Sequence, residues 1–219
     1  MSTRTASKKP AESSSNTLWW IIGGVLGLGL IVWLAFAIAS EPSLDDSVAF
    51  GEVTVEGENL PFFDSGASDP AVGLTAPTVS GEDLEGNAMT IGPSDSAKII
   101  VMLAHWCPHC QAEVPVIQDW VEAGGLPDGV EIYGVTVLTN RLRDGSTWPP
   151  SQWLEDEGWT IPTIKDDEGG SIVSAYGLTS TPTYVVLSPD NENLGRLAGE
   201  IGVSGLEALG QLAAGSVGN

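Results

Sequence analysis

Thiols and imidazoles are the side chains best suited to bond exchange near neutral pH, and this chain of 219 residues has two of each. All four lie within six positions, as His105, Cys107, His109 and Cys110. The stretch reads Ala-His-Trp-Cys-Pro-His-Cys over 104–110. A bridge between thiols so close in sequence closes only a tiny loop, and the stability gained from loop closure grows with loop size. Two cysteines are also too few for a disulfide-stapled scaffold. The pair therefore points to chemistry, namely thiol–disulfide exchange. A structural zinc site wants four ligands, commonly as two separated pairs, and the second pair is missing. A copper site wants a further ligand from elsewhere, and no third histidine exists. No metal is expected, and no cofactor beyond a redox-active Cys107–Cys110 disulfide.

Such thiols need a strand to deliver them and a helix to activate one. Residues 98–104, Lys-Ile-Ile-Val-Met-Leu-Ala, read as a buried strand by their β-branched content. After Cys110 a helix is expected to about Ala123, with Val114, Ile117 and Val121 on one face and Gly124–Gly125 ending it. Cys107 then opens that helix. Unpaired N–H groups and the helix dipole favour an anion there, and hence the thiolate. Pro108 suits the first helical position, because it lacks an N–H that would be orphaned anyway. A protonated His109 would add positive charge. Together these push the Cys107 pKa toward the band of about 3.5–7.5 found for such motifs. Cys110, one turn on and less exposed, is placed to attack a mixed disulfide at Cys107. Cys107 is the expected nucleophile and Cys110 the resolving thiol.

Further along, strands are expected at 130–138, around 161–164, at 181–188 and near 194–201. Short helices are expected near 149–159 and 169–178, and a closing helix over 204–214. The order is βα, then βαβα, then ββα, an α/β pattern. Residues 48–63 carry alternation and glycine-containing turns, which predict a short hairpin. Trp148, Trp153 and Trp159, with Pro149 and Pro150 between, are candidates for a peptide groove or for ordinary packing.

Trp106–Cys110 after an apolar strand, with Thr181–Pro182 opening a later one, resembles the thioredoxin superfamily. Within it, the chain is similar to the membrane-anchored TlpA/ResA-like thiol–disulfide oxidoreductases. The resemblance covers roughly residues 70–212 and includes Pro115, where the superfamily kinks its active-site helix. The lead-in at 73–91 also looks like that of TlpA-like proteins and peroxiredoxins. This resemblance implies an α/β thioredoxin-like fold, a central mixed sheet flanked by helices. It implies that Pro182 is cis, faces the dithiol and takes part in holding substrate peptide, with Thr181 and Trp106 beside it. It further implies that Glu113 tunes the thiols and moves protons. Two signals disagree over direction. Pro108–His109 is typical of DsbA-type oxidases, whereas Thr181 is the choice of thioredoxin and TlpA-like proteins. The implied partners are protein thiols and disulfides, and a membrane or extracytoplasmic redox partner. The alternatives are a copper-delivery or interaction module on the same fold, and a peroxiredoxin-like peroxidase. A peroxidase would want a threonine just before the reactive cysteine and an arginine nearby.

The N-terminal residues bear on where this chemistry takes place. Residues 1–17 are small, polar and weakly basic, and read as a disordered cytoplasmic tail. Residues 18–39 are uncharged and almost wholly apolar, long enough to span a bilayer as a helix. Basic residues precede the run and acidic ones follow it, which puts the N-terminus in the cytoplasm and the thiols outside. Ala37-Ile38-Ala39 resembles a signal-peptidase site, but the run exceeds the usual 7–15 residues of a signal core. A single-pass cell-membrane protein is expected. A linker and short hairpin would fill 40–69, and the thioredoxin-like domain 70–219. The net charge is -21. Of 29 acids only Glu12 precedes residue 40, and of eight bases Arg4, Lys8 and Lys9 do. The remaining 28 acids and five bases give that part a net of -23. Such a surface excludes nucleic acid as a partner.

Overall fold

The computed structural model of the chain describes residues 21–22, 26–27, 29, 49–64, 68–143 and 147–218. The tail expected over 1–17 lies outside them, as do residues 40–48 and most of the apolar run. Among the described residues no helix is long and apolar enough to cross a membrane. Two compact units divide the chain, Met1–Leu44 and Asp45–Asn219, and the thiols belong to the second.

That unit begins with a small antiparallel sheet of β1 (Thr54–Glu56), β2 (Thr78–Glu82) and β3 (Ala88–Ile91), in that order. The hairpin expected within 48–63 does not form. Among the described residues that segment gives one strand, β1, which pairs with β2, Val55 opposite Val79. The reason is that β2 and β3 supply a better edge than the segment's own polar neighbours.

The main sheet holds β4 (Ala97–Leu103), β5 (Val130–Thr136), β6 (Thr163–Lys165), β7 (Thr183–Leu187) and β8 (Asn193–Ala198). Their spatial order is β6-β5-β4-β7-β8. β4, β5 and β6 run parallel, whereas β7 and β8 are antiparallel to their neighbours. The parallel strands are joined through α1 (Pro108–Glu122) and α2 (Pro150–Asp156). A short α3 (Ser171–Ala175) leads to β7, and α4 (Gly202–Ala214) closes the chain. β4 is central and buried on both faces, as its continuous apolar run requires. Ile99, Val101 and Leu103 pack with Val114 and Ile117 of α1 and Leu206 of α4. Ile100 and Met102, on the opposite face, pack with Ile172 of α3 and with Val79 and Ile91 of the small sheet. This alternation of strand side chains fixes one helical layer on each side.

The segment before β2 is bound to the sheet's far edge. Leu60 and Phe63 donate backbone bonds to the carbonyls of Ala175 and Gly177, both at 2.9 Å. Gly177 has φ +63, and a Cβ there would lie 2.4 Å from the Pro61 carbonyl oxygen. Only glycine fits both demands. Arg196 of β8 completes the clamp. Its Nε and Nη2 bind the Asp69 carboxylate, and Nη1 donates to the carbonyls of Pro61 and Tyr176 at 2.8 Å.

Candidate active site

β4 ends at Leu103, and the chain turns through Ala104–Trp106 before α1 begins. The Cys107 N–H closes this turn on the Ala104 carbonyl at 2.9 Å. Cys107 is the N-cap, in an extended conformation with no side-chain cap, and Pro108 is the first helical residue. The first helical bond runs from the Gln111 N–H to the Cys107 carbonyl, at 3.0 Å. Pro115 lies inside α1. β7 pairs with β4, Met102 opposite Thr183, which carries the preceding Thr181–Pro182 to the thiols. That peptide bond is cis. The Cys107 Sγ lies 3.5 Å from the Thr181 carbonyl oxygen, although 74 residues separate them. The Pro182 carbonyl accepts the Gly199 N–H at 2.9 Å, which ties this strand start to the loop before α4.

Both cysteines are thiols here. Both are largely covered: Cys107 is 6% exposed and Cys110 fully buried. The expected contrast in exposure is thus small, but the contrast in acidity is large. Burial pushes the Cys107 pKa up. The polar groups around it, Thr181 first and then Cys110 and the His109 N–H, more than offset this, so the pKa is lowered. The N–H groups among them are helix-opening donors of the kind that favour a thiolate. Cys110 goes the other way. Burial pushes it up to about 12, against a bond from the Ala104 N–H and with the charge of Cys107 adding to the rise. Thr181 lowers both thiols, and its carbonyl oxygen is the atom in contact with the Cys107 sulfur.

Glu113 is buried, 3% exposed, rather than solvated on the helix face. Its Oε1 accepts three bonds: from the Tyr184 hydroxyl at 2.9 Å and from the Ile201 and Gly202 N–H groups at 3.0 Å. Tyr184 is pushed up by burial and then by the Glu113 charge, with the Cys110 charge also contributing. Glu113, Tyr184 and Cys110 therefore form one buried electrostatic group. Tyr184 is absent from the sequence-level candidates. Its signal is period two: it lies two residues past Pro182 and so shares that residue's face of the strand.

The two histidines have different surroundings. His105 is buried at 1% exposure, with Nδ1 against the Thr147 hydroxyl at 3.3 Å and Nε2 accepting the Asn140 N–H at 3.4 Å. Its carbonyl accepts the Gln111 side chain at 2.7 Å. It positions the turn that precedes Cys107. His109 is exposed, and its ring contacts the Glu200 carboxylate. The His109 N–H, in the first turn of α1, is among the groups that lower the Cys107 pKa. Trp106 donates from its indole to the Leu138 carbonyl at 2.8 Å. The three tryptophans considered for a peptide groove have packing partners. Trp153 and Trp159 belong to the core, and Trp148 packs edge-on to His105 at 5.6 Å. Among the described residues, no group of three or more His, Cys, Asp or Glu side chains could hold a metal ion.

Comparison with known proteins agrees with this layout. Residues 69–192 match the AhpC/TSA family. A stretch of 115 residues is 29% identical to the thiol-disulfide oxidoreductase ResA of Oceanobacillus iheyensis, covering 52% of this chain. The match spans about half the length of that relative, 51%. StoA from Bacillus subtilis superposes with a TM-score of 0.50 at 20% identity, over 64% of this chain and 98% of that one. A thiol:disulfide interchange protein of the thioredoxin family from Chlorobium tepidum gives 0.52 at 19% identity, over 67% and 99%. At such identities the two structures speak for the fold alone. It is the thioredoxin-like α/β fold.

Proposed function

Since this chain belongs to the AhpC/TSA family, we propose that it is a thiol–disulfide oxidoreductase that exchanges disulfides with protein substrates through Cys107 and Cys110. One observation carries the reading: Cys107 opens α1 with its sulfur 3.5 Å from the Thr181 carbonyl oxygen, while Cys110 lies fully buried one turn on, and these surroundings lower the one thiol and raise the other. Attack needs a thiolate, and resolution needs a second thiol held in reserve. The ResA relative is itself named a thiol-disulfide oxidoreductase, which supports the assignment.

The steps balance as follows. The Cys107 thiolate attacks one sulfur of a substrate disulfide. A Cys107–substrate bond forms, the substrate bond breaks, and its other sulfur leaves as a thiolate. Cys110 then loses its proton and attacks the Cys107 sulfur, releasing the second substrate thiolate. Two electrons have passed to the substrate, and the protein holds a Cys107–Cys110 disulfide. A dithiol of a partner protein resets it, and the reverse sequence oxidises a substrate dithiol. Glu113, one turn beyond Cys110, is the proposed acceptor of the Cys110 proton. Pro182 and Thr181 would flank the substrate segment, with Trp106 on the other side. The peroxidase alternative wants a hydroxyl from just before the reactive cysteine. Residues Ala104 and His105 supply none.

The test is trapping. Cys110→Ser is expected to accumulate mixed disulfides through Cys107, and Cys107→Ser to abolish exchange with a model disulfide protein. Alkylation of the reduced protein at mildly acidic pH that labels Cys110 first would overturn these roles. The proposed setting is extracytoplasmic, with residues 18–39 as a retained membrane anchor. It rests on the charge step across that run. A phosphatase that works only after export, fused after residue 60, is expected to be active. An inactive fusion would put Cys107 in the cytosol, and a mature chain beginning at Ser40 in the medium would show a cleaved leader.

A further inference from the structure

Positive charge is scarce in this unit. Of the five lysines and arginines after residue 39, Lys98, Lys165 and Arg196 are buried, at 2%, 3% and 7% exposure. They are held to oxygens of Ser96, Glu82 and Asp69. Arg141 and Arg143 lie over the rings of Trp148 and Trp106. The cation that the sequence sets closest to Cys107 is a protonated His109, two residues on in the first turn of α1. Such a charge stabilises a thiolate, and with it the reduced form, so that the disulfide becomes more oxidising.

The fold commits that imidazole elsewhere. Its Nδ1 is bound to the carboxylate of Glu200, in the loop between β8 and α4. The Cys107 sulfur has its contact with the Thr181 carbonyl instead. An exposed ion pair is ordinarily loose and contributes little, and this one is 68% and 45% exposed. What sets it apart is the loop that carries it. The Gly199 N–H is bound to the Pro182 carbonyl at 2.9 Å, and the Ile201 and Gly202 N–H groups to Glu113 at 3.0 Å. Gly199 and Gly202 have φ +99 and +59, values that favour glycine. Glu200 is thus fastened on both sides to residues of the thiol site, and its backbone needs no further ordering to meet His109.

We propose that Glu200 is a positioning residue that sets the reduction potential of the dithiol through His109. It draws the imidazole onto the loop and neutralises it. It thereby withholds from Cys107 the charge and the ring N–H that Pro108–His109 would otherwise supply. The dithiol becomes a stronger reductant than its Cys-Pro-His-Cys sequence alone would make it. That dipeptide and Thr181 disagree over direction, and Glu200 moves the balance toward the side of Thr181. The inference rests on the exchange reading above and concerns the equilibrium of that same site.

The experiment uses the full chain and reads its equilibrium with glutathione. The Cys107–Cys110 disulfide and two glutathione thiols give the dithiol and one glutathione disulfide, and the constant for that reaction rises with the potential. Glu200→Gln is expected to raise the constant about fivefold, which is about 21 mV at about 30 mV per tenfold. A full charge-assisted bond from the freed ring would give roughly tenfold or more, and the ring shares its time with solvent. In a His109→Ser background the same substitution removes only an exposed, screened carboxylate, and the shift should stay below about twofold. A loop merely loosened by the substitution would shift the constant alike in both backgrounds, so the comparison separates positioning from structure. Equal shifts in the two backgrounds overturn the proposal, as does an unchanged or lowered constant on Glu200→Gln alone. Each of those outcomes leaves the exchange reading standing. A dithiol that does not equilibrate with glutathione removes that reading and this proposal with it.

Discussion

The hydroxyl of Tyr184 donates to the Oε1 of Glu113 at 2.9 Å, and the same oxygen receives the two N–H groups that open α4. A carboxylate that joins α1, β7 and α4 is structural as well as chemical. Glu113→Ala strands one buried and two half-buried donors and is expected to cost about 3 kcal/mol. Tyr184→Phe removes one donor and should cost about 1 kcal/mol. Glu113→Gln keeps an acceptor oxygen and should fall between them, while slowing the resolving step. Urea midpoints give the first three numbers. Single-turnover release of substrate thiol from the Cys107 mixed disulfide, with Cys110 in place, gives the last, and an unchanged release rate would remove Glu113 from proton transfer.

Thr181→Val removes the hydroxyl of the residue that lowers the pKa of both thiols. Loss of a charge-assisted interaction with the Cys107 thiolate costs at least about 1.5 kcal/mol. The midpoint of its alkylation curve should therefore rise by about one pH unit. In the unsubstituted protein that curve should show one step at a lowered pKa, with the Cys110 step far above it. A second step near neutrality would contradict the separation of the two thiols.

His109 offers two separable contributions, a ring paired with Glu200 and a backbone N–H that helps to lower the Cys107 pKa. His109→Ser removes only the ring, whereas His109→Pro removes the N–H as well. Both should lower the reduction potential, with proline the larger effect. A shift of 30 mV corresponds to about 1.4 kcal/mol for a two-electron couple. Equal potentials for the two variants would assign the whole effect to the imidazole.

Asp69 gives a stability prediction with a definite sign. Burial raises its pKa, but bonds from Arg196, the Ala71 N–H and Asn193 lower it further, so the net shift is downward. A lowered folded-state pKa contributes stability above the unfolded-state value. That contribution is lost as pH falls through the folded-state value. Acid unfolding of the protein should be steeper than that of Asp69→Asn over that window. Arg196→Ala leaves the carboxylate unpaired and should cost about 3–5 kcal/mol. Denaturant midpoints between pH 2 and 7 test both.

The thiol site was readable because its information is local. Cys107, Pro108 and Cys110 declare a strand-to-helix corner, and the run into β4 has no polar break after Lys98 to obscure it. Thr181–Pro182 was placed only by resemblance, since nothing local to that dipeptide says that it meets Cys107. What stayed hidden depends on pairs far apart in sequence. Glu200 meets His109 across 91 residues, and Arg196 meets Asp69 across 127. β1 reads as half of a hairpin in the sequence because its alternation is local, whereas its partner, β2, lies more than 20 residues on. Periodicity reports which face is buried, and it does not report against what.

The burial of Lys98, Lys165 and Arg196 has a consequence for the molecule as a solute. With those cations turned inward, the globular part behaves as a compact polyelectrolyte whose counterions must come from the medium. Its carboxylates repel one another across the whole exterior, and that repulsion favours expansion over the native shape. Simple electrolytes then act as a stabilising component of the folded state. Dilution of the buffer, more than a mild change of temperature, becomes the stress that loosens it.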